Sequence, residues 1–215
     1  MKKLSLIFLL ICFTLNSESQ EDDNRFKLIL SAGISGTQVD GDTYGGYNKI
    51  GTNAGIYINR KTGDNTENMF GLTYIQKGSR SNPTIQNPNY YILKLNYAEV
   101  PFLFIFNNKS KYRFEIGLSG AYLFSSYEEN GMIGSYKGSL KKFDLNYNMG
   151  AGYKLNDKFY VNLRYVYSIL PIREYSRYAY LGNFWQRMFN RGLYNNCVSL
   201  SINYIISPNS TKNER

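Results

Sequence analysis

The sequence predicts an all-β protein: an eight-stranded antiparallel up-and-down transmembrane β-barrel with a filled polar lumen. Three observations lead to this prediction. Apolar and polar residues alternate along most of the chain, which is the period of a β-strand. The alternating segments are about 10 or more residues long, as a tilted strand needs to be to cross a bilayer. The connections between them are alternately long and short, which is typical of membrane barrels.

The first 19 residues have the pattern of a secretory signal peptide. Lys2 and Lys3 supply the positive charge, and residues 4–15 form the apolar core. Small residues then precede Gln20, so we expect cleavage between Ser19 and Gln20.

Cleavage at this position leaves a barrel domain over residues 20–206 and a polar tail over residues 207–215. The rival interpretation is a lipoprotein modified on Cys12, but Ile11 is bulkier than the small residue that such a signal requires. Cys197 is then the only cysteine of the mature chain, which excludes an internal disulfide.

The alternation is clearest over residues 158–169, where one parity holds Phe159, Val161, Leu163, Tyr165, Tyr167 and Ile169. Tyr160 and Val166 are the apolar exceptions on the other parity. The remaining predicted strands are residues 27–36, 50–60, 69–79, 90–106, 111–124, 141–155 and 193–206. Strands of soluble domains average about 5–6 residues, so these lengths favour a membrane protein.

The connections are predicted to put four long loops at one end of the barrel, over residues 37–49, 80–89, 125–141 and 171–192. Shorter turns at the other end cover residues 61–68, 107–110 and 156–157. Long loops on one side and short turns on the other are the asymmetry of a membrane barrel.

The fourth predicted strand contains an apolar run, "LNYAEVPFLFIF", that is interrupted by Glu99 and Pro101. A helix is a poor explanation because proline breaks a helix interior. The apolar residues up to Tyr97 have one parity and those from Val100 onward have the other. We therefore expect a β-bulge between Tyr97 and Val100, with both apolar runs facing outward and Glu99 facing the lumen.

An eight-stranded barrel is just wide enough for its own side chains to fill it. We predict a lumen charge cluster of both signs, formed by Lys94, Glu99, Arg113, Glu115, Asp144, Lys154 and Arg164. Mutual pairing is expected because an unpaired buried charge costs several kcal/mol. The alternative is a proton or ion path through the carboxylates.

The composition argues against several classes of function. The chain has no histidine, so the commonest metal ligand and general base are missing, and we expect no enzyme, catalytic residue, metal site or cofactor. The formal charge of +9 is scattered rather than clustered, which favours anionic lipid phosphates over nucleic acid as a partner. Asp40 and Asp42 lack the further carboxylates of a calcium loop, so a glycine-rich turn is expected there.

The last long loop combines arginines with aromatic residues, which suits a contact surface for a protein or for lipid phosphates. Its candidate residues are Arg173, Arg177, Trp185, Arg187 and Arg191. The alternative is a loop that packs over the barrel mouth, with its aromatic residues anchored at the membrane interface. Tyrosines near many strand ends are predicted to form an aromatic girdle; examples are Tyr90, Tyr112, Tyr153 and Tyr175.

The first half of the chain carries motifs of a known family. "TQVDGD" over residues 37–42 and "GYNKIG" over residues 46–51 follow a glycine-rich first strand, and "LTYIQKGSR" and "LNYAEVPFLF" come later. These residues resemble the PorT-like outer-membrane β-barrel family of Bacteroidetes. This chain departs from the family at its end: such barrels often finish on an aromatic residue, whereas here a polar tail follows Ile206. The resemblance implies an eight-stranded barrel in the outer membrane of a Gram-negative bacterium, and it implies little about activity.

We therefore expect an integral outer-membrane protein with a structural or interaction role, such as an accessory part of an envelope or secretion assembly. Its expected partners are outer-membrane lipids, including their anionic phosphates, and envelope or secretion proteins that contact the loops. One alternative is a secreted soluble β-barrel that binds a small apolar ligand, with the apolar parity facing inward. The other is a small diffusion channel, which requires an unfilled lumen.

Overall fold

The computed structural model describes residues 26–42, 44–81, 83, 90–108, 111–130, 134–135, 139–174 and 192–206. Eight long strands form the barrel wall: β1 (Phe26–Asp40), β2 (Lys49–Lys61), β3 (Thr66–Arg80), β4 (Tyr91–Asn107), β5 (Tyr112–Asn130), β7 (Phe143–Lys154), β8 (Phe159–Ser168) and β10 (Gly192–Ile206). Two short strands of two residues each, β6 (Gly134–Ser135) and β9 (Arg173–Glu174), pair with β5 and β10.

Each long strand pairs antiparallel with its neighbours along the chain, and β1 also pairs with β10. The closing pair runs from Leu28 opposite Ile206 to Asp40 opposite Tyr194. The wall is therefore a closed, eight-stranded, up-and-down barrel, and the predicted fold class is confirmed. None of the described residues forms a helix long and apolar enough to cross a membrane.

The connections lie at the two ends of the barrel as predicted. The strand ends joined by residues 62–65, 108–111 and 155–158 lie at one end of the barrel, which we call the turn end; the start of β1 and the finish of β10 also lie there. The other end, here the loop end, holds the four longer connections. The strands extend further than predicted toward the loop end, since β1 continues to Asp40 and β5 to Asn130.

The two faces of the wall differ in chemistry. Large apolar side chains are exposed on the outer face of every long strand, as with Leu72, Phe102, Ile116 and Ile202. Charged and amide side chains are buried on the inner face. This polarity is the reverse of what a soluble barrel around an apolar ligand requires.

The structure corrects the predicted bulge. On β4, Tyr91, Leu93, Leu95, Tyr97 and Glu99 all face inward and are buried, so its parity does not change.

The bulge lies on β5, which pairs with β4, and it shifts the register of that pair. Asn96 pairs with Ser125 while Tyr97 pairs with Leu123, which leaves Phe124 of β5 as the extra residue. The apolar run that was expected to face outward before the bulge is therefore part of the interior.

The interior has an apolar layer near each end. The loop-end layer contains twelve buried residues, among them Leu93, Leu95, Leu123 and Val166. The turn-end layer contains Ile29, Tyr57, Met69, Leu103, Ile105, Tyr160 and Ile205. Each layer buries apolar area that helps to stabilise the closed barrel, by roughly 1.5–3 kcal/mol for each fully buried large side chain.

Candidate functional site

The central polar group of the lumen is the ammonium of Lys77 on β3. Its Nζ atom lies 3.2 Å from Glu99 Oε2 and 3.6 Å from Asp144 Oδ2, and it donates to Asn146 Oδ1 at 3.0 Å. The Lys77 ammonium also lies 5.2 Å from the ring centroid of Tyr97. The three charged side chains are almost fully buried, and the two carboxylates share the single Lys77 ammonium as their counter-charge.

Hydroxyl and amide groups hold the two carboxylates in place. Ser119 Oγ donates to Glu99 Oε1 at 2.7 Å and accepts from Asn148 Nδ2 at 2.9 Å. Asn195 Nδ2 donates to Asp144 Oδ2 at 2.9 Å and to the Tyr97 hydroxyl at 3.1 Å. Five strands therefore contribute to this network, since Lys77 lies on β3, Glu99 on β4, Ser119 on β5, Asp144 on β7 and Asn195 on β10.

A second ion pair lies between Arg164 on β8 and Glu115 on β5. The Arg164 guanidinium binds both carboxylate oxygens of Glu115, with its Nη2 donating to Oε2 at 3.1 Å. Arg164 Nη1 donates to the Tyr57 hydroxyl at 2.8 Å, and Asn162 Nδ2 donates to Glu115 Oε1 at 2.9 Å. This bidentate geometry is the strong form of an arginine–carboxylate contact.

A third ion pair lies nearer the turn end. Arg113 Nη1 donates to Glu67 Oε2 at 2.9 Å, and Asn59 Nδ2 donates to the same oxygen at 2.7 Å. The guanidinium of Arg113 lies 4.7 Å from the ring centroid of Tyr160.

A cavity of about 20 Å³ lies beside Glu99 and Arg164, which is room for about one water molecule. The inner surface is thus packed with paired charges.

The loop end of the lumen carries a further set of polar groups. Arg173 binds both oxygens of Glu128, and the Tyr91 hydroxyl donates to Glu128 Oε1 at 3.0 Å. The buried ammonium of Lys49 has no hydrogen-bond partner within the described residues.

The glycine-rich turn before β2 is held by its own aspartates. Asp40 accepts hydrogen bonds from Gln38 Nε2 and Asn196 Nδ2, while Asp42 Oδ1 accepts from the backbone N–H of Tyr44. Burial raises the pKa of the Asp42 carboxyl, and the nearby charge of Asp40 adds to the rise. Across the described residues, no group of three or more acidic or cysteine side chains is arranged to hold a metal ion.

The structure brings most of the predicted lumen cluster together but corrects two members. Glu99, Arg113, Glu115, Asp144 and Arg164 lie inside the barrel. Lys94 faces outward and is exposed, because β4 keeps one parity throughout and has no bulge between Tyr97 and Val100. Lys154 has the inward parity but lies half-buried at the last position of β7, on the rim of the turn end.

Two functional members of the lumen were missed. Lys77 is the cation that pairs with Glu99, and Glu67 is the partner of Arg113. The signal for Lys77 was present, since it has the parity opposite to that of the outward residues Phe70, Leu72 and Tyr74. Glu67 has the same parity as Lys77, but it precedes the predicted start of β3 at residue 69.

Only part of the proposed loop surface lies within the described residues. Arg173 is held by Glu128, whereas Arg177, Trp185, Arg187 and Arg191 lie outside the described part of the chain. Two tyrosines of the predicted girdle, Tyr112 and Tyr153, lie near the turn end in an edge-to-face contact, with their ring centroids 5.5 Å apart. Tyr175 lies outside the described residues.

The family of the chain follows from its sequence match over the barrel. Residues 16–174 match the model of the outer membrane protein beta-barrel domain, which is more than half of the chain. The chain belongs to this family. As a member of the outer membrane protein beta-barrel family, it is a protein of the Gram-negative outer membrane, and its exposed apolar band faces lipid. The long loops are then outside the cell and the short turns in the periplasm.

Solved structures share the fold at low sequence identity. The attachment invasion locus protein Ail of Yersinia pestis has a TM-score of 0.51 and 13% identity, with 86% of this chain and 100% of that chain covered. Neisserial surface protein A has a TM-score of 0.50 and 12% identity, with 83% and 96% covered. Structural similarity at 12–13% sequence identity shows a shared fold and nothing more. No curated protein matches the chain in sequence.

Proposed function

We propose that this protein is a closed outer-membrane barrel that acts through its extracellular loops, in a structural or contact role, and that it is neither an enzyme nor a channel. The observation that carries this proposal is the filling of the lumen by three buried ion-pair groups, centred on Lys77, Arg164 and Arg113. Side chains that are packed and paired in this way leave the loops as the surface available to a partner.

The charge of the loops indicates the chemistry of that partner. Residues 175–191 contain three arginines and no acidic residue. Residues 131–142 contain three lysines, of which Lys141 pairs with Glu174. A basic surface with interspersed aromatic residues favours an acidic contact surface. We propose an envelope or secretion protein that presents acidic groups. A structure of Ail, which is 12% identical to this chain, holds the heparin analogue sucrose octasulfate.

Two finer assignments belong to the same proposal. The motifs over residues 37–51 support membership of the PorT-like group of Bacteroidetes. Residues 1–19 are proposed to be a signal peptide cleaved before Gln20, and these residues lie outside the described part of the chain. The intact mass of the protein purified from the outer membrane checks the cleavage position directly.

The experiment that tests the contact role is crosslinking in intact cells of the native host. A photo-crosslinking residue replaces Tyr178 in the last loop, and in a second strain it replaces Tyr112 at the turn end. We expect a discrete crosslinked protein from Tyr178 that is lost in the variant R177Q/R187Q/R191Q. The charge-matched variant R60Q/K61Q/K111Q, altered at the turn end, keeps the product. Equal loss in both variants, or a product that forms only from Tyr112, would contradict the proposal.

A further inference from the structure

An apolar groove of about 600 Å³ opens on the lipid-facing side of the wall. Small residues form its floor, because Ala54, Gly55, Thr73 and Ala98 meet there on β2, β3 and β4. Larger apolar side chains line its edges, namely Leu30, Ile56, Leu72, Tyr74 and Phe124. The groove is shallow and open toward the bilayer, so an occupant would contact the wall along one side.

A polar seam borders the groove on the side of the loop end. Both the Tyr74 hydroxyl and Gln76 Nε2 donate to Asn96 Oδ1, at 2.9 Å and 3.1 Å. Asn96 is two residues from Ala98 along β4, in the direction of the loops. The outer face of the wall thus changes from apolar to polar directly at the edge of the groove.

Two cations lie beyond this seam. Lys94 is four residues from Ala98 along β4, which is about 13 Å at the rise of an extended strand. Its cross-strand partner is Gly78, and Arg80 is two residues further along β3, so the two cations are diagonal neighbours. Both side chains are exposed, and neither forms an ion pair with another described residue.

An aromatic ring and a carboxylate lie close to Lys94. Its ammonium lies 5.7 Å from the ring centroid of Tyr127, which is within the reach of a cation–π contact. The neighbouring carboxylate of Glu129 accepts a hydrogen bond from the Tyr127 hydroxyl. An amphiphile that lay in the groove would therefore place its headgroup beside two cations and an aromatic ring, with the Glu129 carboxylate, held by Tyr127, as an acidic neighbour.

The groove, the polar seam and the cations follow one another in the order in which a lipid presents its acyl chain, its glycerol or sugar linkage and its phosphate. The loop end is the extracellular end, so the corresponding leaflet is the outer one. We propose that this face, which we call the lipid site, binds one anionic lipid of the outer leaflet whose phosphate is not balanced by a cationic headgroup, with an acyl chain in the groove and the phosphate at Lys94 and Arg80.

The test is native mass spectrometry of the folded full-length protein, released from neutral detergent with two lipids of identical acyl chains. One lipid is phosphatidic acid and the other is phosphatidylcholine. Each cation near a lipid phosphate is worth about a five-fold preference, so wild type is expected to retain one phosphatidic acid with a preference of about 25-fold. The variant K94Q/R80Q loses that preference, and the charge-matched variant R60Q/K61Q retains it.

A second pair of variants tests the groove. Ala98→Phe fills the groove and is expected to reduce the retention of both lipids, whereas Ala151→Phe, on the outer face of β7, leaves retention unchanged. Equal headgroup preference in K94Q/R80Q and R60Q/K61Q would overturn the proposal. So would unchanged retention in Ala98→Phe. Competition by inorganic phosphate distinguishes a free-phosphate site, because displacement of the lipid by equimolar phosphate would contradict a site that needs the acyl chain.

Discussion

Replacing Lys77 with methionine tests the ion-pair network of the lumen most sharply. Methionine has a similar length but no charge, so Glu99 and Asp144 lose the cation that, among the described residues, both of them contact. Asn146 Oδ1 also loses its donor. Two carboxylates would then remain buried close to each other without a counter-charge, a state that is strongly unfavourable.

The magnitude follows from the distances. At an effective dielectric constant of about 20, two unit charges separated by 3.2 Å or 3.6 Å attract each other by roughly 5 kcal/mol for each pair. Much of that gain is offset by the cost of removing the Lys77 ammonium from water. Breaking a buried pair by removing one partner typically costs about 3–5 kcal/mol, and we expect Lys77→Met to lower the free energy of unfolding by that amount.

The assay is urea unfolding in lipid vesicles, with the folded fraction measured from the difference in gel mobility between unheated and boiled samples. Lys142→Met is the matched control, because Lys142 is exposed and forms no ion pair with the described residues. We expect Lys142→Met to change the unfolding free energy by less than about 0.5 kcal/mol. The triple variant K77M/E99Q/D144N removes all three charges, so most of the lost stability should return.

A Lys77→Met variant whose unfolding free energy lies within about 1 kcal/mol of wild type would refute the reasoning. It would show that Glu99 and Asp144 are neutral or hydrated in the folded barrel, so that the lysine does not balance them. A triple variant that is no more stable than K77M would also count against the electrostatic explanation, since the loss would then come from packing.

Two further changes follow from local geometry and are measured by the same unfolding assay. Gly78 has a φ of 134°, and an added Cβ would lie 2.0 Å from the Leu93 carbonyl oxygen, so Gly78→Ala is expected to cost about 1–3 kcal/mol or more. Gly120 has open space at the Cβ position, and Gly120→Ala is the neutral control. Because burial raises the pKa of Asp42, its charge opposes folding as the pH rises above the ordinary value. Asp42→Asn should therefore match or exceed wild-type stability at pH 7 and lose that advantage in acid. A clear loss of stability at pH 7 would contradict this.

The two-residue alternation of apolar and polar side chains was enough to predict the fold and the side of the wall on which most residues lie. Alternation over long segments identified Arg113, Glu115, Asp144 and Arg164 as inward residues, because each is flanked by apolar residues of the opposite parity. The lengths of the connections predicted which ends of the strands meet. These features are local, and they depend on the two-residue period of a strand.

The bulge could not be assigned to the correct strand from one sequence. A bulge changes parity on one strand of a pair, and "LNYAEVPFLFIF" carries apolar residues on both faces near Glu99. The inward residues Leu93, Leu95 and Tyr97 pack in the loop-end apolar layer, which a sequence-based prediction of an all-polar lumen does not anticipate. The same error placed Lys94 inside the barrel.

The pairing of the lumen charges depends on strand register across the barrel. Lys77 and Asp144 lie on β3 and β7, which are not neighbours in the wall, so their contact arises only once the barrel has closed. Alternation indicates which residues face inward, whereas the contacts across the lumen are set by closure and by side-chain length.

The measurement that tests the central claim most directly is single-channel recording of the refolded protein in planar bilayers. Gel mobility of the same preparation, unheated against boiled, establishes that the barrels are folded. With Lys77, Arg113 and Arg164 paired inside the barrel, we predict a conductance indistinguishable from that of protein-free lipid. Discrete, reproducible current steps from a fully folded preparation would contradict a filled lumen and favour the diffusion channel.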